Sequence, residues 1–201
     1  MAEDPSFLED PTDTREAIMK ATYHALCEHG YAGLTIARIA EDFEKSKSLL
    51  YHHYDSKDEL LLDFLSFMLE EFQLAVPAGE SNRPEARLEA MFELALAPED
   101  WDEGLKFTRA MTELRAQAAH DERFREHFVD HDRVFREALV ETIEEGIDDG
   151  TFREVDAEQA AAFIFATLAG GMNQLATARA GHEDAIRDEL ERYVSVALRT
   201  A

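Results

Sequence analysis

From residue 13 onward, apolar residues recur every three or four positions with acids on the intervening faces. No stretch alternates with the period of two that a half-buried strand needs. Asp13 and Glu16 open a first helix, with Ile18, Ala21, Ala25 and Leu26 on its apolar face, that ends at Gly30. Thr35 caps a short second helix carrying Ile36, Ile39, Ala40 and Phe43. A turn at Glu44 and Lys45 leads into a third helix, capped by Ser46 and running to about Tyr54. Ser56 and Glu59 form a capping box for a fourth, whose buried stripe is Leu61, Phe64, Leu65, Met68 and Phe72. Residues 76–83 read as a loop, followed by helices over roughly 84–97 and 102–119. A long helix over 121–148 carries Phe124, Phe128, Phe135, Leu139, Ile143 and Ile147 on one side and stops at Gly150. Asp156 and Gln159 open the eighth helix, and residues 182–200 make the last. The pattern predicts an all-α protein: a flexible leader over 1–12, a three-helix head over 13–60 and a helical body over 61–201.

The eighth helix is apolar on every face from Ala160 to Met172, so both of its sides need covering. It falls short of the ~20 apolar residues that a bilayer span needs. One side packs on the body in this reading, and the other meets a second copy. Phe165 and Ala169 would join a last-helix stripe of Ile186, Leu190, Tyr193, Val194 and Ala197 in an isologous four-helix interface. The alternative is that the eighth helix is the central core helix of a monomer.

Charge changes the picture. The 201 residues hold 44 acids and 20 bases, a formal net charge of −24 spread along the whole chain. Only Lys20, Lys45, Lys47, Lys57 and Lys106 are lysines. Acid excess with scarce lysine resembles proteins from organisms that keep molar salt in the cytoplasm, such as halophilic archaea, where self-repulsion is screened. The competing explanation is an acidic surface for a basic partner, or one that mimics nucleic acid. The first residues are acidic and lead into no apolar run, so the expected location is the cytoplasm. Cys27 is the only cysteine, which excludes an intrachain disulfide and favours core packing over a reactive role.

Against that background, residues 45–57 carry three lysines and a single acid, Asp55. Thr35 and Ser56 stand at helix starts, where free amides favour a phosphate, and Lys57 adds charge beside the latter. Lys47, Ser48 and His52 lie on the outer face of the third helix, within reach of base edges. Tyr51 and His53 are better placed for phosphates, and Leu50 and Tyr54 point inward. Lys45 and Ser46 at the helix start complete the candidate DNA-binding set.

The run from Gly30 to Leu61, with Gly-Tyr, the capping Thr35, Ile36-Ala37, Ser48, Leu50-Tyr51, His53-Tyr54 and Ser56-Lys57-Asp58, resembles the TetR-family signature of the AcrR type. Glu145-Gly146 through Gly150-Thr151-Phe152-Arg153 and Asp156 is similar to the C-terminal domain of the choline-repressor and fatty-acid-regulator members. Phe43, Glu44, Lys45 and Ser48 stand where many relatives have Ala, Gly, Val and Gly, so Glu44 must adopt a left-handed conformation or shift the turn. The resemblance implies a nine-helix regulator, an operator DNA, a homodimer, no cofactor, and a small-molecule effector held between the fifth and eighth helices. Pocket candidates are Phe92, Trp101, Phe107, Met111, Leu114, Phe124, Phe128, Phe163 and Met172, with Asn173 or Gln174 as polar contacts. Plain core packing is the competing reading of each.

His127 and His131 are four apart, with His120 seven before the first, which would align all three for a metal if one helix ran through them; Asp121 argues for a break. No Gly-rich phosphate loop, nucleophile elbow or His-Glu zinc helix points to an enzyme. A repressor released by a small molecule is therefore the favoured reading, and an acidic interaction module with lost or altered DNA binding is the alternative.

Overall fold

The structure, a computed structural model, describes residues 11–43, 47–75, 83–96, 101–178 and 182–200. Among the described residues are nine α-helices: α1 (Thr14–Gly33), α2 (Ile36–Asp42), α3 (Lys47–His53), α4 (Lys57–Ala75), α5 (Pro84–Leu96), α6 (Trp101–Gln117), α7 (Glu122–Asp148), α8 (Ala157–Thr177) and α9 (Glu183–Tyr193). A single π-helical turn, Val194–Leu198, prolongs α9. The expected leader lies almost wholly outside the described residues. The chain packs as two compact units: residues up to 73 together with 102–129, and residues 74–101 together with 130–201. The packing therefore does not divide at residue 60, where the sequence suggested a boundary, because α4, most of α6 and the start of α7 share a core with α1–α3.

In the first unit, Ile18, Met19 and Leu26 of α1 meet Ile39 of α2, Leu50 of α3, Phe64 of α4, Leu114 of α6 and Phe124 of α7 in one buried cluster. Helices of seven residues such as α2 and α3 do not persist alone in water. Burial of Ile39, Ala40 and Leu50 holds them here. Local caps fix the starts: Asp13 accepts from the Glu16 amide at 2.9 Å, Thr35 from the Arg38 amide at 3.2 Å and Ser56 from the Glu59 amide at 3.2 Å. Each such cap stabilises its helix by about 1 kcal/mol. Gly30 does not end α1 but breaks it, with φ 62° and ψ 173°, and helical geometry resumes to Gly33. The Glu113 carboxylate of α6 sits on that break and accepts the Tyr31 amide at 2.7 Å.

In the second unit, Leu88, Phe92 and Leu96 of α5 pack with Leu139 and Ile143 of α7, Ile164 and Leu168 of α8, and Leu190 of α9. Gly171 lets three helices meet, since a Cβ there would lie 2.6 Å from Leu96 Cδ2 and 3.4 Å from Ile186 Cδ1. The turn after α7 uses Gly150 at φ 80°, and the Phe152 amide donates back to the Gly146 carbonyl at 2.7 Å. The Phe152 ring then covers Gly146, and a clasp forms with the C-terminal segment. The Arg153 amide donates to the Leu198 carbonyl at 2.7 Å, the Thr200 amide to the Thr151 carbonyl at 3.0 Å. No helix among the described residues is long and apolar enough to cross a membrane.

Candidate DNA-recognition site

Helix α3 is amphipathic in the sense that reading a groove requires. Leu50 is fully buried and Tyr54 nearly so, while Lys47, Ser48, His52 and His53 are exposed and Tyr51 keeps 56% of its surface in water. An exposed tyrosine on a short helix is not explained by packing. The inner side is anchored: the Tyr54 hydroxyl donates to Asp63 of α4 at 2.5 Å, and Arg15 of α1 donates to the same carboxylate through Nη2 at 2.8 Å and Nε at 3.1 Å. Arg15 also reaches Glu70 at 3.0 Å. Burial alone would push the Asp63 carboxyl up, but hydrogen bonds from Arg15 and Tyr54 overcome it and hold it below the ordinary carboxylate range. Burial and the bond to Asp63 raise the Tyr54 hydroxyl. Arg15, Tyr54 and Asp63 thus tie α1, the end of α3 and α4 together, which fixes the angle at which α3 is presented.

The remaining expected contacts are distributed differently. Thr35 is exposed, with its hydroxyl capping α2. Lys57 is half-buried: its ammonium donates to the Tyr31 carbonyl at 3.0 Å and stands 4.0 Å from the Tyr31 ring centroid, so in this conformation it braces α1 against α4. The Tyr31 hydroxyl donates to Asp58 at 3.2 Å. Lys45, Ser46 and Glu44 lie outside the described residues. Phe43 is buried and extended, with φ −89°, filling the core where a smaller residue would leave space. Sequence reasoning missed Arg15, Asp63 and Glu113; the first two are 48 residues apart and nothing local marks their pairing.

The expected pocket residues divide between the units. Leu114, Phe124 and Phe128 are buried in the first, with Phe107 and Met111 packed partly buried against them. Phe92 is buried and Met172 partly buried in the second, where Asn173 and Gln174 are exposed. The side chain of Trp101 lies outside the described ones. Phe163 departs from the pocket assignment: it is 50% exposed, and its ring lies 4.9 Å from that of Tyr193, tilted by 49°. The interface stripe also needs correction, because Leu190 and Val194 are 1% and 8% exposed within the chain's own core. They point inward because α9 packs on α5 as well as on α8. Phe165, Ile186 and Tyr193 are partly buried against that core, Ala197 is half-buried, and Ala169 is exposed. His120 falls in the turn between α6 and α7, off the helix that carries His127 and His131. No group of three or more His, Cys, Asp or Glu among the described residues is placed to hold a metal ion.

Residues 18–64 match the bacterial regulatory proteins of the tetR family, and residues 84–199 match the C-terminal region of the BetI-type transcriptional repressors. The chain is 29% identical over 168 residues to the HTH-type transcriptional repressor AcnR of Corynebacterium glutamicum, covering 83% of this chain and 84% of that protein. A TetR transcription regulator from Haloarcula marismortui superposes with a TM-score of 0.82 at 35% identity, over 92% of this chain and 98% of the other. A transcriptional regulator from Saccharomonospora viridis, solved in complex with choline, shares the fold with a TM-score of 0.75 at 22% identity, over 93% and 98% of the two chains. These relatives are regulators and not enzymes, and they do not favour an acidic module without DNA binding. The chain belongs to the TetR family of DNA-binding transcriptional regulators, with a C-terminal domain of the BetI repressor type.

Proposed function

We propose that the protein is a cytoplasmic repressor that holds its operator as a homodimer, releases it when a small molecule binds the C-terminal domain, and works at molar salt. The observation that carries the reading is the outward face of α3, where Lys47, Ser48, Tyr51 and His52 stand exposed over an anchor of buried Leu50 and Tyr54. Lys47 meets a base edge or phosphate, Ser48 and His52 supply donors and acceptors to base edges, and Tyr51 reaches the backbone. The named repressor activity of the corynebacterial relative supports the sign of regulation, and choline in the Saccharomonospora regulator supports a small effector.

Dimerisation draws support from α8, which exposes Ala162, Phe163, Ala166 and Ala169 along one face. Small residues there would let a second copy approach closely, with Phe163 and Tyr193 at the seam. Salt enters because a dimer carries twice the −24 of one chain and would be repelled by DNA in dilute buffer. At 1 M salt the screening length falls to about 3 Å, and short-range contacts decide.

Genomic fragments selected on the protein in molar KCl test the proposal. A discrete set should be retained, and screening small molecules for release should find one that clears it. If wild-type protein retains no more DNA than a Lys47→Glu/Tyr51→Ala variant of unchanged oligomeric state, the proposal is wrong.

A further inference from the structure

In a chain where acids outnumber bases 44 to 20, arginines meet carboxylates readily. Arg15 reaches Asp63 at 2.8 Å, Arg123 reaches Asp121 at 2.7 Å and Arg199 reaches Glu85 at 3.0 Å. Arg38, exposed on α2, is a different case. Glu41 and Asp42 follow it by three and four residues in the same helix. Arg133 and Glu137, four apart in the same order, close an ion pair at 2.9 Å, so the spacing does not prevent one. Arg38 instead turns the other way and donates through Nη1 to the Gly33 carbonyl at the end of α1. Gly33 leaves the arm its place, since a Cβ there would lie 3.1 Å from Nη1. Among the described residues no carboxylate meets this guanidinium, and four of its five N–H groups are left over. Capping the α1 carbonyl accounts for one donor, but not for a charge held apart from two neighbouring acids.

Lys57 gives the contrast. It is half-buried, with its ammonium on the Tyr31 carbonyl at 3.0 Å and 4.0 Å from the Tyr31 ring centroid. We propose that Arg38 anchors the protein on a DNA phosphate, the backbone role that the sequence suggests for Lys57. Helix α2 packs on α3, with Ile39 and Leu50 in one buried cluster. In a helix-turn-helix the second helix enters the groove while the first crosses the backbone, which brings the exposed side of α2 to the phosphates. The fork of Arg38 suits two oxygens of one phosphate. Its bond to Gly33 already holds the arm, so less freedom is lost on contact. The inference rests on the reading of α3 as the DNA-binding helix, and it adds a contact that carries no sequence information.

Anisotropy titrations of a genomic fragment that the wild type retains in molar KCl, repeated over a range of KCl concentrations, are the test. Arg38→Gln keeps an N–H donor for the Gly33 carbonyl and removes the charge. Its affinity should fall at least about tenfold, and the slope of log affinity against log salt should become less negative by about one per subunit. Arg38→Lys keeps the charge and should keep the wild-type slope. Arg136→Gln, at an exposed arginine of the second unit, should change neither affinity nor slope. The loss in Arg38→Gln should be the same on fragments carrying single base-pair changes, because a phosphate contact reads no base. Thermal unfolding at matched KCl checks the fold. If Arg38→Gln shifts only the unfolding temperature, Arg38 does no more than cap α1 and the proposal is overturned. Equal effects of Arg136→Gln, or a loss confined to particular base pairs, overturn it too. A wild type that retains no fragment sinks the repressor reading and this one with it, whereas a retained fragment insensitive to Arg38→Gln removes this inference alone.

Discussion

The recognition segment 30–61 and the body segment 145–156 are both distinctive in sequence, but they serve opposite physical ends. In the first, the residues of α3 divide by face: Lys47, Ser48, Tyr51 and His52 meet water, while Leu50 and, just past the helix, Tyr54 turn inward. In the second, the distinctive residues are consumed by packing. Gly146 exists so that Phe152 can lie on α7, Gly150 turns the chain at φ 80°, and Arg153 binds the C-terminal segment through its amide and its guanidinium. A motif thus marks where chemistry is constrained without saying whether the constraint is contact with a partner or contact with the chain itself. Exposure separates the two. The C-terminal unit fastens its last segment with its motif, while the head displays its own.

The contrast can be broken at several points. Gly146→Val should be the most damaging change, because even a Cβ there lies 2.1 Å from Phe152 Cδ2. A loss of about 3 kcal/mol or more is expected from overpacking, read by denaturant unfolding at matched salt. A near-neutral result would show that the clasp is not built around that glycine. Gly30→Ala forces an alanine to φ 62° with its Cβ 2.9 Å from Glu113 Oε2, for a cost of about 2 kcal/mol. It should weaken DNA binding as well as stability, since the break sits beside Tyr31 and Lys57. Asp63→Asn has the smallest effect and sharpens the account of the anchor. The folded Asp63 titrates below its unfolded value, so its contribution is complete above about pH 4 and is lost as pH falls through the folded value. The gap between wild type and Asp63→Asn, under about 1 kcal/mol because the pair is partly exposed, should therefore close as pH falls below about 4. A gap unchanged by acid would show that Arg15 and Tyr54 do not hold the ionised carboxylate.

Much of the fold was legible because helix boundaries are local chemistry. Asp13, Thr35, Ser56 and Asp156 cap as their sequence contexts imply, and the helices that follow start within a residue of expectation. What was not legible depended on distant partners. Gly30 reads as a stop, but Glu113, 82 residues from the Tyr31 amide it accepts, lets helical geometry resume beyond it. Leu190 and Val194 read as an outward stripe, yet packing of α9 on α5 turns them inward and leaves Phe163 at the surface. In the recognition site, the outward face of α3 followed from its period, whereas the Arg15, Tyr54 and Asp63 anchor that orients it had no local trace.

Operator affinity measured against KCl from about 0.2 to about 3 M, for the wild type and for Lys47→Glu/Tyr51→Ala, tests the central claim most directly. The account predicts that wild-type affinity is held or strengthened as salt rises, while the variant, with its oligomeric state unchanged, fails to bind the operator at any concentration. A steep loss of wild-type affinity across that range would contradict a protein adapted to bind DNA in salt, and a variant that binds as well as the wild type would contradict α3 as the reading element.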